Sequence, residues 1–150
     1  MTVTKPATTT KTPMSVTVKT GQKGLNRILN DLKVFSTLIV IGLRNDETKK
    51  AEIMAVQRGL NLDYGCYLKV DGKYGDRSKR VMAAHIVKEG MKGELVKAIQ
   101  ASLYCHGFST KGIDGKFGPD TVKAVKEFQK SVDITVDGYV GPVTVGALLK

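Results

Sequence analysis

Apolar positions recur at helical spacing along most of this chain. Leu25, Ile28, Leu29, Leu32 and Phe35 fall on one face, which predicts an amphipathic helix over residues 24–36. Residues 37–43, TLIVIGL, form the longest apolar run and suit a short strand or a buried helix end. That run is far shorter than the roughly 18 residues a membrane span requires. Residues 45–50 are polar, and Asp46 and Glu47 suit a helix start. Ile53, Val56 and Leu60 then make an i, i+3, i+7 stripe, as do Val96, Ile99 and Leu103. Ala124, Val125 and Phe128 form a third stripe. The expected fold class is all-α. Residues 1–14, rich in Thr, Lys and Pro, show no periodicity and read as a flexible linker. A linker at that position points to a piece of a longer protein.

An internal repeat with a period of 43 residues underlies the pattern. Ile53, Ala55, Val56, Gln57 and Leu60 align with Val96, Ala98, Ile99, Gln100 and Leu103. Fourteen residues after each Gln stands a glycine turn, DGKYG at Asp71 and DGKFG at Asp114. A third turn, DGYVG, begins at Asp137 and, like the second, runs on into Pro and Thr. Asp-Gly supplies a turn in which Gly takes positive φ and the Asp carboxylate accepts backbone N–H groups. Gly115 and Gly118 are both expected to need positive φ or a close backbone approach. Phe117 or Tyr74, between the glycines, can drop into the core. Pro119 suits the first helical position, and Asp120 complements the helix dipole. The structural turn residues are therefore Asp71, Gly72, Gly75, Gly115, Gly118, Pro119, Thr121, Gly138 and Gly141.

Charge narrows the partners without choosing among them. The chain of 150 residues carries a formal net charge of +10. Residues 1–50 hold nine basic and three acidic groups, so most of the excess lies in the N-terminal third. A positive field favours nucleic acid, anionic lipid or anionic wall polymers alike. Acidic residues interleave the basic ones, and no nucleic-acid motif is present. The two cysteines, Cys66 and Cys105, lack CxxC spacing and read as reduced thiols. Cys105 and His106 are neighbours and would point apart, so no metal site and no cofactor are expected. The N-terminus shows no apolar signal-peptide core.

Residues 87–150 resemble the three-helix peptidoglycan-binding domain found on bacterial and phage cell-wall hydrolases. The resemblance rests on the Val-x-x-Ile-Gln helix ending at Gln100, DGKFGPDT from Asp114, AVKEFQ from Ala124, and DGYVGPVT from Asp137. Residues 43–86 look like a degenerate second copy, with Asp76 where Pro is usual, His85 for Phe and Ile86 for Gln. No second DGxxG follows in that copy. Residues 1–42 match nothing in the family. The expected organisation is a linker over 1–14, an extra apolar segment over 15–42, a degenerate repeat over 43–86 and a full repeat over 87–150.

The resemblance implies a non-catalytic module that targets a bacteriolytic hydrolase to peptidoglycan. A phage endolysin is the expected parent, made in the host cytoplasm and acting at the wall after release. Candidate ligand contacts are Gln100, Tyr104, His106, Phe108, Asp114 and Tyr139. Exposed tyrosines would stack on sugar rings, and the basic surface would attract anionic wall polymers. Two other readings are an autonomous lytic enzyme and a basic nucleic-acid-binding protein. No catalytic constellation sits in a recognisable context. The apolar surface of residues 15–42 has two expected uses, packing back onto the degenerate repeat or pairing two chains into a homodimer.

Overall fold

A computed structural model describes residues 14–31 and 42–150. Six helices follow in order: α1 (Met14–Leu29), α2 (Asp46–Tyr64), α3 (Asp76–Ala84), α4 (Glu94–Cys105), α5 (Pro119–Ser131) and α6 (Pro142–Leu148). The only extended pairing among the described residues is two isolated antiparallel bridges, Val87 with Val140 and Lys92 with Lys116. The fold is all-α, and no helix among the described residues is long and apolar enough to cross a membrane.

α4 is the central element. Ten of its twelve residues are buried, which is why its sequence is apolar on more than one face. α1 and α2 make the main packing against it, and α5 also touches it. The core joins Leu25 and Leu29 of α1, Leu60 of α2, Met82 of α3, Ile99 and Leu103 of α4, Phe128 of α5 and Leu148 of α6. Phe117 is buried among them, as expected, whereas Tyr74 is only partly buried.

Local chemistry explains the element ends. The Thr48 backbone N–H donates to Asn45 Oδ1 at 2.9 Å, and the Asn45 N–H reaches Thr48 Oγ1 at 3.4 Å. That capping box starts α2 where Asp46 and Glu47 announced it. Gly65, at φ +63°, closes the helix. Arg44 then ties the start of α2 to the end of α6. Its guanidinium donates to both Glu52 oxygens, at 2.9 and 2.7 Å, and to the Leu148 carbonyl at 2.7 Å. Burial pushes the Glu52 carboxyl up, and the Arg44 pair pulls it back toward ionisation.

The first helix differs from the sequence expectation. It spans Met14–Leu29 rather than 24–36. Its inward face is partly polar and small: Thr17, Gly21 and Gln22 are buried beside Val18, Leu25, Ile28 and Leu29. A hydrophobic count does not register such a face. The Gln22 amide bonds the Gly42 N–H, the Leu43 carbonyl and Thr48 Oγ1 at 3.0–3.1 Å, so it fixes the entry to α2. Leu32, Phe35 and residues 37–41 lie outside the described residues, as does the linker over 1–13. Met14, assigned to that linker, begins α1. α1 packs inside the chain, mainly on α4 and less on α2.

Candidate functional site

The three Asp-Gly turns share one hydrogen-bonding device, built on a buried glutamine from the preceding helix. Gln100 Nε2 donates to Asp114 Oδ1 at 3.1 Å and to the Lys116 carbonyl at 3.0 Å. Its Oε1 accepts the Gly115 N–H at 2.8 Å. Gln57 does the same for Asp71, Gly72 and Lys73, at 2.9–3.1 Å. Gln129 does so for Asp137, Gly138 and Tyr139, also at 2.9–3.1 Å. Thr121 and Thr144 place their hydroxyls 3.1 Å from the Nε2 of Gln100 and Gln129. One neutral, buried side chain thereby bonds several polar groups of each turn at once.

Within each turn the aspartate folds back on the backbone. Asp71, Asp114 and Asp137 Oδ1 accept the N–H two residues on, at 2.9–3.0 Å. Those N–H bonds hold the Asp71 and Asp114 carboxyls below the usual carboxylate range. The first glycine of each turn has φ between +74° and +77°. A Cβ on Gly115 would also lie 3.0 Å from the Gly93 carbonyl oxygen. The second glycine corrects the sequence expectation. Gly75, Gly118 and Gly141 are extended, with φ of −96°, −103° and −111°, and serve as N-caps of α3, α5 and α6. A Cβ added at any of the three would meet no backbone atom within 4 Å. Pro119 and Pro142 open their helices as expected.

The candidate ligand contacts fall in different environments. Gln100 is 1% exposed and its amide is occupied by the turn. Asp114 is exposed, with one oxygen committed to that turn. Tyr104 is buried; its hydroxyl accepts the Gly112 N–H at 2.8 Å and anchors the loop after α4. His106 Nε2 lies 2.7 Å from the Leu148 carbonyl, so it carries the proton and donates. Its ring and that of Phe108 both meet Phe128 edge-on, with centroids at 5.0 and 6.1 Å. Burial, with help from Arg44, pushes the His106 imidazole down to about 4. Tyr139 alone of the six presents a large apolar surface, 52% exposed. The structure brings Gln100 and Asp114 together, and His106 and Phe108 around Phe128. It does not gather the six into one cleft.

A cleft of about 620 Å³ lies elsewhere, between α1, α2 and α4. Ile28, Leu62 and Ile113 line it together with Arg27, Lys97 and Glu94. Arg58 braces it, donating to Asp31 at 2.9 and 3.1 Å and to Glu94 Oε1 at 3.0 Å. Asp63 Oδ1 and Oδ2 accept the first N–H groups of α4, from Glu94 and Leu95, at 3.1 and 2.9 Å. The pairing of residues from α1 and α4 carries no sequence signal, since it depends on a packing the periodicity does not encode. Cys66 and Cys105 are free thiols, and burial raises both. Among the described residues no group of three or more His, Cys, Asp or Glu side chains is placed to hold a metal ion.

The second and third glutamine-pinned turns and the helices they join match a known family. Residues 92–148 fit the model described as "Putative peptidoglycan binding domain". This part of the chain belongs to that family. The N-acetylmuramoyl-L-alanine amidase CwlL of Bacillus licheniformis is 48% identical over 65 residues, covering 42% of this chain and 18% of that enzyme. An uncharacterized protein of Bacillus subtilis (strain 168), YbfG, is 30% identical over 169 residues, covering 88% of this chain and 23% of that protein. A crystal structure of the SleB N-terminal domain aligns at 35% identity with a TM-score of 0.43, over 43% of this chain and 89% of that one. The chain thus spans about a fifth of the curated relatives just named. In the peptidoglycan-binding domain, α4, α5 and α6 are the helices joined by the second and third turns.

Proposed function

We propose that this chain is a non-catalytic module that holds a cell-wall hydrolase on peptidoglycan. The membership of residues 92–148 in the peptidoglycan-binding family carries the reading. Its similarity to an amidase over only 18% of that enzyme fits a binding appendage better than a shared catalytic centre. Tethering raises the effective concentration of a catalytic domain at its insoluble substrate. The named relatives are bacterial, and a phage endolysin is one form of the hydrolase parent we propose.

Residues 43–86 are, in this reading, a second copy of the unit. They keep the glutamine-pinned turn, through Gln57 and Asp71, and the helix after it. Their unit lacks a second turn, and α3 packs instead on α6 of the full copy. The basic surface adds attraction to anionic wall polymers.

Sedimentation with purified sacculi tests the proposal. The chain should pellet with walls while the turbidity of the suspension stays constant. Stripping teichoic acids should weaken binding without abolishing it. Clearing of the suspension by the pure chain would show lysis and overturn the non-catalytic reading, and a chain left in the supernatant would overturn the binding one.

A further inference from the structure

We propose that the cleft between α1, α2 and α4 is a binding site for the peptide stem of peptidoglycan, gripping a free carboxylate through Arg27. The proposal rests on the wall-binding reading and adds to it the ligand class and the place. Its walls come from two sources. α4, with Glu94 and Lys97, belongs to the peptidoglycan-binding domain; α1, with Arg27 and Ile28, lies outside residues 92–148. The site is therefore a property of this chain's added helix.

The chemistry of the lining selects the ligand. Ile28, Leu62 and Ile113 give an apolar wall suited to small aliphatic side chains such as alanine methyls. Arg27 is exposed, stands in the last turn of α1 and has no hydrogen-bond or ion-pair partner among the described residues. Lys97 Nζ lies 3.2 Å from Glu94 Oε2 and is 39% exposed. Arg58, by contrast, is already engaged by Asp31 and Glu94, which hold it in place. A ligand thus meets the Arg27 guanidinium, the shared Lys97 ammonium and two carboxylates, Glu94 and the exposed Asp63. A stem peptide carries carboxylates for the two cations and an amine or amide N–H for the two carboxylates. Guanidinium–carboxylate pairs of this kind bond in parallel and fix orientation. A chain of N-acetylated sugars offers no charge and favours aromatic platforms, and no aromatic residue is among the described lining. The volume of about 620 Å³ sits within the roughly 300–1,000 Å³ of small-ligand clefts.

The test uses the whole chain and three soluble probes. These are a synthetic stem tetrapeptide ending in a free D-alanine carboxylate, its C-terminal amide, and chitotetraose. Calorimetry should show the acid binding, the amide binding more weakly, and chitotetraose leaving the cleft variants indistinguishable from the native chain. Arg27→Glu should weaken the acid by about tenfold or more, with the helical melting curve retained. Arg27→Lys should recover part of that loss. Leu62→Glu, on a side chain 59% exposed, sets a carboxylate in the same cleft without entering the core and must give the same loss; it decides the matter if Arg27→Glu fails to fold. If the native chain sediments with sacculi but the tetrapeptide neither binds nor competes, the cleft proposal fails and the wall-binding reading stands. If the chain does not sediment with sacculi, the wall-binding reading fails and the proposal falls with it.

Discussion

At the scale of single residues, the turns separate two glycines that look equivalent in the sequence. Gly115 sits at φ +76° with the Gly93 carbonyl 3.0 Å from its would-be Cβ, while Gly118 is extended with open space around it. Gly115→Val should cost about 3 kcal/mol or more, from left-handed strain and the backbone clash together. Gly118→Val should stay within about 1 kcal/mol. Urea denaturation of both variants checks the contrast, and equal losses would contradict it. The Asp-Gly spacing made these turns legible in the sequence. The inward aim of Gln57 and Gln100 was present only as a recurrence fourteen residues before their turns, and that of Gln129, eight residues before Asp137, carried no such signal, because a glutamine's letter does not say whether it faces water or a turn. His106 supplies a second prediction. Its folded value of about 4 lies below the ordinary 6.5. The unfolded chain therefore binds the proton more readily between those values, and stability falls as pH drops through them, by up to about 1.4 kcal/mol per unit. Above the ordinary value the contribution is complete. Chemical denaturation at pH 7 and near the lower value should show His106→Gln losing less stability on acidification than the native chain.

Helices pack by surface shape as well as by hydrophobicity, and α1 against α4 shows the difference. A Cβ on Gly21 would lie 2.6 Å from Cys105 Sγ and 2.7 Å from the Ala101 carbonyl oxygen. The two helices approach closely because Gly21 has no side chain. Gly21→Ala should therefore destabilise by about 1–3 kcal/mol despite the better helix propensity of alanine. Gly146 in α6 meets nothing within 4 Å. Gly146→Ala should stabilise by about 0.5–1 kcal/mol. Thermal melts of the pair, compared with the native chain, test whether contact or propensity decides each case; a stabilised Gly21→Ala would refute the close approach. The same contact explains why α1 was displaced in the sequence reading. Leu25, Ile28 and Leu29 were legible as a stripe, but Thr17, Gly21 and Gln22 extend that buried face through residues that read as polar or helix-breaking.

For the whole molecule, the all-α class was legible because each helix stripe and each turn is a local signal. The assembly of α1 onto α4 was not, because it joins segments some 80 residues apart through small side chains. That assembly yields a prediction about self-association. The apolar residues of α1 were candidates for pairing two chains, yet Val18, Leu25, Ile28 and Leu29 are all buried within one chain. Removing residues 1–31 would withdraw these four side chains and uncover the α4 face carrying Ala101 and Cys105. At about 1.5–3 kcal/mol for each fully buried large side chain, the loss rivals the roughly 5–15 kcal/mol that holds an ordinary domain together. The shortened chain should lose its cooperative melt or associate through the bared face, and light scattering should show it above its own monomer mass. The full chain, with that face already covered, should scatter as one copy of 16.3 kDa. A shortened chain that stayed monomeric and melted with the native midpoint would show that α1 contributes nothing to the core. A full chain of twice that mass would show that a surface other than the α1–α4 contact joins the copies.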